Sequence, residues 1–358
     1  MVTGLRNPVA KSYRSMIAGM ELFEKRRHLA PAAALRFKLL PRNRRTRMQG
    51  VELQVEAESF ARRVEVAADH TFTLERDEAA LRENAAVMPN RKAGTMTWRA
   101  EIRTPGLPPH TRRLGDLRLE CEVGMEARLI SNYRPFLFGW IDALAPEGPE
   151  YCRRPAPRYL FFADRPLWSV TLAAGARREV LEVDRLYGGA SRDPDWKEDL
   201  PYCDCEVLMD RAYFLPLGDA SWPDDTRVEF EYMEPPMEAQ EQAIAPEQSS
   251  KADVRAARGE ATVIDFDSGY EVWVYRGKLS PKAPPPAPEL VLLFPPSGIL
   301  AKARIRWGAQ SSIIATFSNF ACAKSRSEPM ASATLGPYAG ANSITLSPPS
   351  SWRCFRQM

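Results

Sequence analysis

From residue 35 onward, apolar side chains recur at every second position in short runs, and prolines or Asp- and Gly-containing turns separate the runs. Successive side chains of a strand point to opposite faces, so this period commits the chain to sheets with a buried face. Leu35, Phe37 and Leu39 alternate with Arg36 and Lys38, Leu53 and Val55 alternate with Gln54 and Glu56, and Phe72 and Leu74 follow a turn at Asp69-His70. The same style continues through residues 97–102, 117–123, 159–162, 169–172 and 228–232. Residues 105–109 and 221–225 read as rigid loops, because their prolines fix φ and remove a ladder donor. Short strands between turns predict a mainly β fold, with a β-sandwich-like N-terminal region over residues 35–233 made of one or two sandwiches. The aromatic stretch 132–144 reads as a helix packed at one end.

Two segments depart from that period. Residues 8–30 have a helical pattern, with Met16, Met20 and Phe23 on one face and Pro31 at the end, so residues 1–34 read as an N-terminal helix or the remnant of a signal. Residues 234–250 are acidic, contain proline and lack a period, which is the composition of a linker. Beyond the linker, Ser250-Lys-Ala-Asp253 fits a capping box and Gly259 a helix stop. Alternating runs on either side of Asp267-Ser268-Gly269 predict a hairpin, and the apolar runs 290–294 and 299–307 complete a meander. Residues 251–307 therefore form a small α+β module, a helix against an antiparallel meander. Its core is expected to gather Val263, Phe266, Val272, Val274, Leu292, Phe294 and Ile305 around the helix. Trp273 and Tyr275 fall on the alternate face, where aromatic rings either bind a partner or fill the space against the helix. Residues 308–358 are serine-rich with Glu328 as their sole acid, and read as disordered or as spurious read-through sequence.

A length of 358 residues favours more than one domain, and a hydrophobic fraction of 44% suffices for real cores. With 49 basic against 46 acidic residues, no general field attracts nucleic acid. The basic clusters at Lys25-Arg26-Arg27 and at Arg42, Arg44, Arg45 and Arg47 lack the interleaved aromatics that base stacking needs. They read as solvated surface, with peripheral contact to anionic lipid headgroups as the functional remainder. No apolar stretch has the length of a transmembrane helix.

Four cysteines, Cys121, Cys152, Cys203 and Cys205, lie in the β-rich region. In an oxidising compartment they make two disulfides in any of three connectivities, with buried free thiols as the alternative. A zinc site fits poorly, because Cys203 and Cys205 are the one close pair and no histidine lies near them. His28, His70 and His110 accompany no nucleophile motif and read as exposed and unpaired, and no phosphate loop, GxGxxG or His-Glu-x-x-His occurs. The residues thus point to no catalytic group, no metal and no cofactor. Asp224-Asp225, after Trp222-Pro223, reads as a turn leading into the strand at Val228.

The succession Lys251-Ala-Asp-Val-Arg-Ala-Ala-Arg-Gly259, Gly269-Tyr-Glu-Val-Trp-Val-Tyr-Arg276, Leu290-Val-Leu-Leu-Phe294 and Ser297-Gly-Ile-Leu300 resembles the SmpA/OmlA (BamE) family of small outer-membrane lipoproteins. The preceding β-rich region resembles uncharacterised envelope proteins of Gram-negative bacteria. The family resemblance implies a non-enzymatic cell-envelope protein with an interaction or maintenance role in outer-membrane assembly and an envelope protein as partner. It also implies a place in the periplasm or on the periplasmic face of the outer membrane. Residues before Leu35 contain no apolar signal core, so the expectation is a gene start upstream of Met1, and a cytoplasmic protein otherwise. The alternatives are a periplasmic hydrolase that uses distant acids and a ligand-binding β-sandwich.

Overall fold

The computed structural model describes residues 10–42, 44–92, 95–130, 148–155, 157–187, 208–234, 249–276, 289–307, 311–315, 320–324 and 352–356. The stretch 132–144, most of the linker, and Cys203 and Cys205 lie outside the described residues. The fold is mainly β and its sheets are antiparallel. The chain divides into a first unit spanning residues 1–234 and a second spanning most of residues 235–358.

The strands of the first unit are β1 (Lys11–Ser12), β2 (Ala34–Pro41), β3 (Leu53–Glu56), β4 (Ala61–Val64), β5 (Thr71–Phe72), β6 (Ala86–Pro89), β7 (Met96–Arg103), β8 (Thr111–Arg113), β9 (Phe161–Phe162), β10 (Leu167–Ala174), β11 (Arg177–Val180), β12 (Ala212–Tyr213) and β13 (Arg227–Tyr232). They form sheets in the orders β1-β6-β3-β4, β5-β2-β7, β11-β10-β13-β8 and β12-β9. The alternation of β2 places Phe37 opposite Ala100 and Leu39 opposite Trp98 of β7. All four are buried. Helix α1 (Tyr13–Lys25) begins where the Ser12 side chain accepts from the Ser15 amide, and its stripe of Tyr13, Met16, Ile17 and Phe23 is buried. These residues join β2, β3, β5, β6 and β7 in one apolar cluster, so α1 is a core element of this unit. A one-turn helix α2 (Glu78–Arg82) is capped by Asp77.

Residues 117–123 are not a strand, and here the alternation misleads. They lie within helix α3 (Leu114–Glu126), of whose 13 residues 11 are buried. A helix with water on one side shows an apolar stripe at period 3.6, but one enclosed on all sides has no solvent face to reveal its period. The polar half of the pattern is buried along with the apolar half and must be paired. Arg26 reaches Glu122 at 2.9 Å and Arg153 reaches the same carboxylate at 3.0 Å. Asp116 accepts from the amide and the hydroxyl of Thr104, each at 2.8 Å. Arg112 pairs with Glu120. Arg118 donates to the carbonyls of Leu217, Asp219 and Trp222 at 2.8, 2.9 and 2.9 Å, and pairs with Asp224. Asp224 thus closes the expected turn and anchors the helix. Neighbouring backbone comes so close that a Cβ on Gly115 would lie 2.2 Å from the Leu29 carbonyl oxygen.

Cys121 of α3 is bonded to Cys152 in the short 3-10 helix Pro149–Arg153. This is one of the pairings that the four cysteines leave open.

In the second unit, α4 (Lys251–Arg258) carries the capping box: the Asp253 amide donates to the Ser250 hydroxyl at 3.2 Å, and the Ser250 amide to the Asp253 carboxylate at 2.9 Å. Strands β14 (Thr262–Asp265), β15 (Glu271–Arg276), β16 (Glu289–Phe294), β17 (Lys302–Trp307) and β18 (Ser311–Ala315) follow in sequential order across one sheet. Gly269, at φ 80°, turns the chain between β14 and β15 in a conformation that glycine adopts without strain. Trp273 lies opposite Leu292, Tyr275 opposite Leu290, and Leu292 opposite Ala303. With Phe294 and Val254 of α4, these side chains make the core. Val272 and Val274 lie opposite Leu293 and Val291 and are absent from that cluster, as is Phe266. The expected core mixed the two faces, which an antiparallel register forbids, because directly opposed residues share a face. Within residues 308–358, the described backbone is confined to β18 and to the pair β19 (Phe320–Lys324) and β20 (Trp352–Arg356).

Two stability effects follow from this architecture. The Cys121–Cys152 link closes a loop with a sequence separation of 31, for which the loss of loop entropy in the unfolded chain is worth about 3–4 kcal/mol. Replacing both cysteines with alanine should lower the unfolding free energy measured in urea by that much, and reduction of the native chain should reproduce the loss. Phe294, fully buried with its ring 4.8 Å from that of Trp273, should cost about 3–5 kcal/mol when replaced with alanine, measured by denaturation of the full chain.

Candidate functional site

Strand β7 ends at Arg103, and the chain returns to β8 through residues 104–110, a loop stiffened by Pro105, Pro108 and Pro109. His110 closes the loop at φ 59°, a left-handed conformation uncommon for a residue with a side chain. Two contacts hold it there. Its carbonyl accepts from the Phe230 amide at 2.8 Å, and its ring meets Tyr232 edge-on with centroids 4.9 Å apart. This loop lines one side of a cleft of about 330 Å³.

The opposite walls come from β8, β9, β12 and β13. Tyr213 stacks on Phe161 at 5.5 Å and meets Phe230 edge-on at 5.3 Å, which fixes the aromatic wall. Burial pushes the phenols of Tyr213 and Tyr232 up from their ordinary value, so both stay neutral.

The charged wall is built from Arg103, Arg112 and Asp164. Arg103 holds Asp164 at 3.2 Å, and Lys38 reaches the same carboxylate at 3.1 Å. Burial alone would raise the Asp164 carboxyl, but Lys38 and Arg103 outweigh it and hold the group below the usual carboxylate range. Arg112 sits deeper. Its Nη2 donates to the Ile102 carbonyl at 2.5 Å and to Glu120, while its Nε is buried with no acceptor among the described residues. Burial pushes the Glu120 carboxyl up to about 7, against the opposing pull of Arg112. The arrangement presents two guanidiniums, one ionised carboxylate and neutral phenols to a small space with aromatic sides. It suits recognition of a ligand that carries both charge and a flat surface.

Apart from His110, the residues singled out from sequence lie elsewhere. Trp273 and Tyr275 are each 2% exposed and belong to the core of the second unit. The Trp273 indole donates to Glu271 at 3.0 Å and the Tyr275 hydroxyl to the Gly259 carbonyl at 3.1 Å. His28 is exposed, whereas His70 is half-buried, with Nε2 3.2 Å from the Met48 carbonyl oxygen, so it is neither exposed nor unpaired. His110 is exposed but packs on Tyr232 at the cleft. Members of the two basic clusters are structural: Arg26 pairs with Glu122, Arg27 with Glu24 at 2.9 Å, Arg44 with Asp210 at 2.6 Å, and Arg42 donates to the Met96 carbonyl at 3.2 Å. Sequence reasoning missed Arg103, Arg112, Asp164, Tyr213 and Tyr232, which share no motif. The one local signal beside them was the triple-proline loop. Among the described residues, no helix is long and apolar enough to cross a membrane, and no group of three or more His, Cys, Asp or Glu side chains is placed to hold a metal ion.

Comparison of the chain with family models, curated proteins and solved structures finds no match.

Glu120 gives the first unit a pH dependence of definite sign. A carboxyl whose pKa rises from 4.5 to about 7 on folding binds more protons in the folded state, so stability is fully present below 4.5 and declines as pH rises through this window. Urea unfolding should show a loss from this group on the order of 1–3 kcal/mol between pH 5 and pH 8. Glu120→Gln keeps an acceptor for Arg112 and removes the titration, so it should flatten that slope.

Proposed function

We propose that this chain works in an oxidising, extracytoplasmic compartment as a non-enzymatic cell-envelope protein with an interaction or maintenance role. The observation that carries this reading is the Cys121–Cys152 disulfide, whose two residues are 0% and 3% exposed. Disulfides persist in secreted and periplasmic proteins and are rare where thioredoxin and glutathione keep thiols reduced. This one fastens the central helix of the first unit, so the fold itself draws on the redox state of its surroundings.

The resemblance of residues 251–307 to the SmpA/OmlA lipoproteins supports the same compartment. It also suggests the class of partner, a protein of the outer-membrane assembly apparatus, with peripheral contact to the membrane surface. The capped helix followed by an antiparallel meander is compatible with such a module. A ligand-binding role is the second reading, and the cleft beside β8 favours it over hydrolysis, because the acids near the cleft, Glu101, Asp164 and Glu120, are each held by an arginine.

The test is to fractionate producing cells and label thiols with a mass-tagged maleimide before and after reduction, followed by cross-linking of the envelope fraction. Cys121 and Cys152 should label only after reduction, in envelope fractions, and cross-linking should capture an envelope protein. Labelling of both thiols without reductant, in a cytoplasmic fraction, overturns the reading.

A further inference from the structure

We infer that the cleft between the 104–110 loop and strands β8, β12 and β13 binds a small organic anion, a carboxylate carried on a single ring. This goes beyond the envelope role and does not rest on it.

The charge of the ligand follows from the wall. Two guanidiniums, Arg103 and Arg112, line the cleft with one carboxylate, Asp164, and two further carboxylates, Glu101 and Glu120, pair with them from outside the lining. Arg112 is 6% exposed, both of its hydrogen bonds leave from Nη2, and its Nε has no acceptor among the described residues. A buried donor left in this state costs about 1–3 kcal/mol, which marks the guanidinium as incompletely paired by the protein. The planar fork of a guanidinium matches a carboxylate in two parallel bonds, which a neutral hydroxyl cannot reproduce. The raised carboxyl of Glu120 acts in the same direction, since near neutral pH it neutralises Arg112 only in part.

The shape of the ligand follows from the other side. Tyr213, Phe230 and Tyr232 give the cleft aromatic walls with neutral phenols as donors. Rings of this kind hold a flat partner by offset or edge-on packing. A space of about 330 Å³ is at the low end of small-molecule sites, enough for one ring with its substituents and too small for a peptide or a nucleotide. His110, left-handed at φ 59°, is held against Tyr232 at the mouth. Such local strain persists where the surroundings over-determine it, as they do at binding sites.

Aromatic acids and sugar acids share this chemistry, and calorimetric titration of the full chain separates them. The probes are benzoate and glucuronate, with benzamide and methyl glucoside as their neutral counterparts. One acid should bind saturably at a single site, and its neutral counterpart should not. Which acid binds decides between the two sources. Arg103→Met should weaken binding at least tenfold with the melting curve kept, while Arg62→Met, at an exposed ion pair with Asp77, should bind as the native chain does. His110→Gly preserves the left-handed backbone and removes the ring, and should weaken binding several-fold; it decides the matter if Arg103→Met unfolds. Failure of both acids to bind at millimolar concentration, equal binding of the neutral counterparts, or unchanged affinity in Arg103→Met and His110→Gly overturns the inference.

Discussion

Everything in the first unit is arranged around the need to pair the charges of one buried helix. Helix α3 takes Asp116, Glu120 and Glu122 into the interior, and an ion without a partner there would cost several kcal/mol. The partners come from four different places in the chain: Arg26 after α1, Thr104 and Arg112 on either side of the proline loop, Arg153 beside the disulfide, and the turn that ends at Asp224. Each pair locates one neighbouring segment relative to α3. Apolar burial supplies most of the driving force, as in any core, but it is nondirectional, whereas these contacts specify which segment meets which turn of the helix.

The cleft is a by-product of that arrangement. Arg112 has one edge committed to Glu120 and to the carbonyl of Ile102, and the same guanidinium forms part of the cleft wall. The proline loop lies between two anchors, Thr104 on Asp116 and Arg112 on Glu120, so both of its ends are tied to one helix. A rigid loop clamped at both ends keeps the mouth of the cleft open without support from the ligand. Such preorganisation lets a small site bind with little ordering cost.

Much of the fold was legible because burial on one side leaves a period. The alternation in β2, β7, β13 and β15 is explicit, as are the stripe on α1, the capping box of α4 and the turns at His70 and Gly269. Helix α3 was not legible. Leu117, Leu119, Cys121 and Val123 alternate with Arg118, Glu120 and Glu122, and only knowledge of Arg26, Arg112 and Arg153 explains why those polar residues are inside. In β15 the alternation separates Trp273 from Val272 but does not say which face meets α4, and that depends on the register with β16. The cleft left no local trace for the same reason: Arg103, Arg112, Asp164, Tyr213 and Tyr232 are neighbours only once the sheets have formed.

The pairing of Arg118 with Asp224 spans 106 positions. A chain emerges from the ribosome amino end first, so α3 is complete long before the turn that receives Arg118 and the Gly115 amide exists. Until residue 224 has appeared, Arg118 and the Gly115 amide lack the partners that this turn supplies. Completion of the contacts around α3 therefore waits for a turn that lies far along the chain.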